Sequence, residues 1–250
     1  MPTAPRLRQR FVLHSPRVSA PDDFAFMIWR VGRRADNEEY RRETGWRPEN
    51  LRKPGFAPKT VIDVGVARGT PNLYDAFPEA HFVLIEPLRE FEEDLKRISR
   101  RRGGEYVLAA VGAAPGRAEI HVNPAMLYES SMLVNEWRPP EEHEALERRE
   151  VEVTTLDLLR AERGWAAPFG LKIDAEGYEH QVIDGAAALL RETEFVIAEV
   201  SITRPFSGGA SFAEFIALMD RHGFAVHDLL DGLKRGNGGV EFVDVMFCRP

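Results

Sequence analysis

The sequence predicts an α/β fold: a mainly parallel, seven-stranded sheet covered on both faces by helices, ending in an antiparallel hairpin and preceded by a helical extension. Three observations predict it. From Thr60 onward, short near-continuous apolar runs alternate with segments whose apolar residues recur at helical spacing. Strands that are apolar along their whole length belong to a sheet buried on both sides. The last two runs follow one another with only a glycine-rich turn between them, which makes them a hairpin. Finally, 250 residues, 44% of them hydrophobic, suffice for one such core with an appendage.

Residues 1–58 read as an N-terminal extension with one or two helices, and residues 59–250 as the domain. The extension is rich in Pro and Arg and carries one aromatic cluster, Phe24, Phe26, Ile28 and Trp29. Four large apolar side chains are costly to leave exposed together, so this cluster is expected to pack on the domain or form a homodimer contact. Arg6, Arg8, Arg10 and Arg17 read as a solvated arm. Pro-Gly and a second Pro at residues 53–59 mark the boundary.

The first strand is TVIDVGV, followed by a short helical piece ending at Phe77-Pro78. HFVLIEP is the second strand, and Leu88, Phe91, Leu95 and Ile98 form the apolar stripe of the next helix. EYVLAAVG is the third strand and FGLKIDAEG the fourth. A helix carrying Val182, Ile183, Ala186, Leu189 and Leu190 leads to the fifth, EFVIAEVS. After a helix with Phe212, Phe215, Ile216 and Met219, FAVHDLL and VEFVDVMFC close the chain around Gly-Asn-Gly-Gly. Between the third and fourth strands an insert interrupts the alternation, with two strands, AEIHV and REVEVTTL, around an irregular acidic stretch. Inserted loops on a rigid scaffold are where substrate selection is usually built. No internal repeat or low-complexity segment appears.

Composition excludes several classes. A net charge of -7 argues against a general nucleic-acid binder, which would show a basic face. The single cysteine, Cys248, excludes an intrachain disulfide and favours a reducing, cytoplasmic setting. No apolar run is long enough to span a membrane, and the N-terminus lacks the apolar core of a secretory signal.

The chemistry concentrates in two places. In Asp63-Val64-Gly65-Val66-Ala67-Arg68-Gly69 a buried strand ends beside an acid and a glycine turn opens a helix. Glycines there let the backbone approach a ligand at the carboxyl end of the sheet. Glu86 ends the next strand 21 residues after Gly65, the offset at which an acid meets ribose hydroxyls. Position 67 is Ala, so the middle glycine of a dinucleotide-binding loop is missing, which disfavours a pyrophosphate. The second place is Leu171-Lys172-Ile173-Asp174-Ala175-Glu176-Gly177-Tyr178-Glu179, where an apolar strand delivers Asp174 and Glu176 to the same crevice. Carboxylates there can orient a hydroxyl, take its proton or hold a cation.

These segments, with AVG, TTLD and Glu199, resemble the FkbM family of S-adenosylmethionine-dependent methyltransferases from about Thr60 to the C-terminus. The KID-x-EG-x-E segment is the specific part. The resemblance implies a Rossmann-like class I methyltransferase fold with S-adenosyl-L-methionine as cofactor. It implies that Asp63, Gly65 and Gly69 line the methionine end, Glu86 the ribose, and Ala110 and Val111 the adenine. It places Asp174 and Glu176 as catalytic groups and Glu199 towards the acceptor, a hydroxyl of a sugar or small metabolite. Where the family commonly has Asn in the glycine loop, this chain has Ala67, so a hydrogen bond there is either lost or supplied by Thr70 or Asn72.

On the acceptor side, Ser131 of the insert and His180, one turn from Glu176, join Glu199 as substrate-binding candidates. Carboxylates alone are no metal signature, so no metal site is assigned, with a divalent cation at Asp174, Glu176 and Glu199 as the alternative. A nicotinamide-dependent oxidoreductase and a non-catalytic cofactor-binding module remain the rival readings.

Overall fold

The computed structural model describes residues 46–52, 56–203, 205–234 and 239–250. The aromatic cluster at residues 24–29 and the four N-terminal arginines lie outside them. The first half of the domain carries α1 (Pro48–Leu51), β1 (Thr60–Val64), α2 (Pro71–Ala76), β2 (His81–Ile85), α3 (Glu92–Arg102) and β3 (Gly104–Val107). The middle carries β4 (Ala110–Val111), β5 (Gly116–Val122), α4 (Pro140–Glu144), β6 (Glu147–Thr154) and α5 (Leu156–Arg163). The rest is β7 (Phe169–Ile173), α6 (Glu179–Asp184), β8 (Thr193–Ser201), α7 (Phe212–Arg221), β9 (Ala225–Lys234) and β10 (Val240–Cys248).

The main sheet has seven strands in the order β3-β2-β1-β7-β8-β10-β9. The chain starts at the centre, works outwards to β3, then returns to lay β7 beside β1. That reversal places a crevice at the carboxyl ends of β1 and β7. β1 and β7 are buried along their whole length, as their apolar runs demand. Helix α3 buries Leu95 and Ile98, places acids in its first turn and arginines in its last, and stops at Gly103 with φ 75°. Its charges complement the helix dipole at both ends. Ser211 and Glu214 form a capping box at the start of α7.

Two elements differ from the sequence reading. The run EYVLAAVG is divided: residues 104–107 pair with β2, while Ala110 and Val111 leave the main sheet and pair with β6. β3 is an edge strand, held on one side only, so its end is free to change partner. The helix predicted through Leu190 stops at Asp184, because Gly185 lies against Gly112, whose carbonyl oxygen would sit 2.0 Å from a Cβ there. Ala186, Leu189 and Leu190 remain buried in a looser turn. The terminal hairpin is added at the sheet edge as expected, with β10 next to β8, β9 outermost, and β10 antiparallel to both.

The insert builds a second sheet, β4-β6-β5, in which Val122 at the end of β5 pairs with Glu147 at the start of β6. The excursion between them therefore leaves and rejoins the body at one place. Residues 46–52 dock on the domain: Leu51 is fully buried, and the Trp46 indole donates to Asp244 at 2.7 Å. Arg52 donates to the last carbonyls of α2, Ala76 at 2.6 Å and Asp75 at 2.7 Å. Among the described residues no helix is long and apolar enough to cross a membrane.

Candidate active site

The turn after β1 is built from backbone. Gly65 has φ 72° and Gly69 φ 108°, a region that side chains disfavour. At Gly65 space forbids a side chain as well, since a Cβ would lie 1.7 Å from the carbonyl oxygen of Asp174. The two strand-end loops are thus in backbone contact, reinforced by Asp174 N–H donating to Val64 at 3.1 Å. Ala67, at φ 44°, adopts a left-handed conformation without being glycine. Its amide donates to Glu86 Oε2 at 3.0 Å, and the amide of Leu88 donates to Oε1 at 3.0 Å. Glu86 therefore staples the glycine loop to the end of β2. Burial raises its carboxyl to about 7 despite those two donors.

The acids of the second loop have unequal surroundings. Carboxylate oxygens of Asp174, Glu176 and Glu199 lie within 4.8 Å of one another at the ends of β7 and β8. Asp174 has the buried ammonium of Lys172 at 3.5 Å. Glu176, at φ 50°, is held in a left-handed turn followed by Gly177 at φ 94°. Burial first, then the charges of Asp174, Glu129 and Glu179, push its carboxyl well above the usual range. Glu179 caps the same turn, accepting from the amides of Ala175 at 2.9 Å and Gly177 at 3.0 Å. Burial raises it to about 7 as well.

The insert roofs this site. Ser131 is buried, exchanges backbone hydrogen bonds with His121, and its hydroxyl donates to the carbonyl of Glu176 at 2.6 Å. Farther along, Glu136 N–H donates to Pro205 at 2.7 Å and Ser207 N–H to Val134 at 2.9 Å, stitching the insert to the loop after β8. Phe206 of that loop packs so closely on Gly177 that a Cβ there would meet its ring at 2.4 Å. Arg138 pairs with Glu129 at 2.8 Å, and the charges of Glu129 and Glu176 act on the Tyr128 phenol, which burial above all raises. Tyr128 and Met132 pack with Ala67 on the apolar cluster of Leu88, Phe91, Ile120 and Val122.

The structure brings the loop of Gly65 and Gly69, Glu86, Asp174, Glu176 and Glu199 to the carboxyl-end side of β1, β2, β7 and β8, with Ser131 hydrogen-bonded to Glu176. Ala110 and Val111 lie in β4, buried, just beyond Val107, whose carbonyl accepts from Glu86 N–H at 3.1 Å. Asp63 stands behind the site: it is fully buried and gives Oδ2 to the Tyr74 hydroxyl at 2.5 Å and Oδ1 to Lys172 at 3.2 Å. His180 does not join the acids. Its ring contacts Gln181 at 3.1 Å, burial lowers its pKa, and the carboxylates opposing that shift are Asp184 and Glu214. Sequence reasoning missed Tyr74, and it named Lys172 and Glu179 only as members of a motif, without a role at the site. The register Asp63↔Lys172 could not be read from either strand alone.

The strand order, its reversal between β1 and β7 and the single antiparallel strand β10 define a class I S-adenosylmethionine-dependent methyltransferase. The family model of the methyltransferase FkbM domain matches residues 63–226, and the chain belongs to that family. No curated protein matches the sequence. The fold is similar to 1,6-didemethyltoxoflavin-N1-methyltransferase of Burkholderia thailandensis, at 13% identity and a TM-score of 0.40, covering 94% of this chain and 92% of that one. A TehB-like methyltransferase of Corynebacterium glutamicum is similar at 11% identity and TM-score 0.43, with 93% and 100% covered. Magnesium protoporphyrin IX methyltransferase of Synechocystis gives 10% and 0.42, with 92% and 79% covered.

Proposed function

We propose that the enzyme methylates a hydroxyl oxygen of a sugar or small metabolite, with Asp174 as the group that receives the hydroxyl proton. The observation that carries this reading is the convergence of Asp174, Glu176 and Glu199 within 4.8 Å, directly against the glycine loop. The donor side suits a nucleoside without phosphate. Glu86 is buried with lone pairs left for a ribose diol, and Asn72, early in α2, is buried with its Oδ1 unpartnered. S-Adenosylmethionine supplies an activated methyl group, which passes to the acceptor oxygen as the carbon–sulfur bond breaks and S-adenosylhomocysteine is left.

Because the donor is already activated, alignment and exclusion of water are the protein's main contributions. The insert covers the crevice, and Ser131 fixes the turn that carries Glu176. Glu176, its carboxyl raised by burial and by Asp174, holds its proton more tightly than an ordinary carboxyl, which suits it to donate a hydrogen bond to the acceptor. Asp174, with the Lys172 ammonium at 3.5 Å, is the carboxyl group we assign to take the proton. Three carboxylates also suit a divalent cation, but that ammonium already offsets Asp174, so the proposed reaction is metal-independent.

Asp174→Asn tests the assignment. The variant is expected to keep S-adenosylhomocysteine affinity by calorimetry while turnover on a panel of hydroxyl acceptors falls about 10²–10⁴-fold, the range for a positioned base. Wild-type turnover by the variant would overturn Asp174's role, and loss of turnover on adding chelator would restore the cation. A thermal midpoint raised by NAD and not by S-adenosylhomocysteine would favour an oxidoreductase instead.

A further inference from the structure

Lys172 is the residue of the crevice that this reading leaves without a task. It is the fourth of the five residues of β7, 5% exposed among apolar neighbours, at a position where a hydrocarbon side chain would serve packing better. Its ammonium has three partners on two elements. Gly65 carbonyl oxygen accepts at 3.0 Å, Asp63 Oδ1 lies at 3.2 Å and Asp174 Oδ2 at 3.5 Å. Burial by itself would lower the lysine, but Asp63, Asp174 and the more distant Asp244 outweigh it and hold it charged.

Two of these partners belong to opposite sides of the transfer. Gly65 opens the loop that would hold the methyl donor, and Asp174 opens the loop that would face the acceptor. The backbones of the two loops already touch, so a small shift in one is felt by the other. In-line transfer demands that both stay fixed relative to each other, and a misplacement of about 1 Å can cost roughly a hundredfold in rate. We propose that Lys172 is a positioning residue, whose buried ammonium ties the cofactor loop to the acceptor loop and holds Asp174 in its working orientation.

The surroundings of Asp174 make the tie consequential. Glu86 from β2, Glu176 and Glu179 from its own loop and α6, and Glu199 from β8 all place carboxyl groups towards it. Among the described residues the cation within 4.0 Å is Lys172. Without it, Asp174 would be left among carboxyl groups with no cation to hold its orientation. The competing explanation is that Lys172 merely neutralises Asp63 in the core. That explanation accounts for the 3.2 Å pair but not for the reach to Gly65 and Asp174.

The inference rests on the reading of residues 65–69 and 174–177 as donor and acceptor sides. Its test must remove the ammonium without stranding a buried carboxylate, since Lys172→Met alone would leave Asp63 unpaired. Asp63→Asn keeps Lys172 on Gly65 and Asp174, and Asp63→Asn/Lys172→Met removes the tie in a neutral background. Three measurements compare these two proteins: amide hydrogen exchange, S-adenosylhomocysteine calorimetry, and the ¹³C signal of the Asp174 carboxyl, assigned with Asp174→Asn.

Relative to Asp63→Asn, the double variant is expected to exchange about tenfold faster in both loops, to bind S-adenosylhomocysteine about tenfold more weakly, and to show a displaced Asp174 signal, the scale of one charge-assisted hydrogen bond. Lys172→Arg, which keeps the charge, should recover the Asp174 signal. If the double variant matches Asp63→Asn in all three, Lys172 is only a counter-ion and the inference falls. A wild-type protein that does not bind S-adenosylhomocysteine overturns the donor-side reading instead, while exchange and the ¹³C signal still report on the tie.

Discussion

Glu86 shows how much a single residue can carry. Its position at a strand end is legible in the sequence, because an acid at that offset from a glycine turn has one common use. What the sequence hides is that both oxygens are already engaged, by the amides of Ala67 and Leu88, and that burial still raises the carboxyl to about 7. With Glu86 on the ribose, as the proposed function has it, a carboxyl titrating there gives cofactor binding a pH dependence. Ribose hydroxyls donate to the ionised form, so the affinity for S-adenosylhomocysteine should rise from pH 6 to pH 8. Calorimetry across that range checks it, and Glu86→Gln should both flatten the dependence and weaken binding by roughly tenfold or more, the worth of hydrogen bonds to a charged group. Lys172 is the contrary case. A lysine inside LKI disturbs no period and matches no spacing, and its role exists only because strand pairing sets it beside Asp63.

At the scale of elements, apolar runs identify strands well but not their partners. EYVLAAVG is continuous in sequence and divided in space, since periodicity carries no information on which neighbour a strand pairs with. The glycine loop was legible as a turn, yet its conformation at Ala67 was not. A non-glycine residue at φ 44° stores roughly 1 kcal/mol of strain. Asn tolerates this region and, unlike Gly, adds little entropy to the unfolded chain. Ala67→Asn should therefore stabilise the fold by about 0.5–1 kcal/mol, and Ala67→Val should destabilise it by more than about 1 kcal/mol, because a β-branched side chain is worst there. Urea denaturation of the two variants decides the matter. The turn at Glu176, the other non-glycine residue with positive φ among the described residues, is held by Ser131 from the insert. No local sequence pattern announces a contact between residues so far apart.

For the molecule as a whole, the buried acids set how stability depends on pH. Burial raises Glu86 and Glu179 from 4.5 to about 7, and raises Glu176 well above its ordinary value. Between those limits the unfolded chain has lost these protons and the native protein keeps them. Stability therefore falls as pH rises through that window, by up to about 1.4 kcal/mol per pH unit for each such group. His180, lowered by burial, works in the opposite sense as one group against three. The urea midpoint should be higher at pH 5.5 than at pH 7.5. Glu179→Gln, which can still accept from Ala175 and Gly177, should narrow the difference, and an unchanged difference would remove Glu179 from the account. The excursion from Val122 to Glu147 carries a different consequence. Its two ends are paired neighbours in one ladder, so its length and content can vary without moving any strand of the body. Loop-closure entropy grows only slowly with length. Its hydrogen-bonded anchors lie on His121, on Glu176 and on residues 205–207. The excursion is thus an exchangeable cassette, which can be rewritten while the strands that carry the two strand-end loops stay in place.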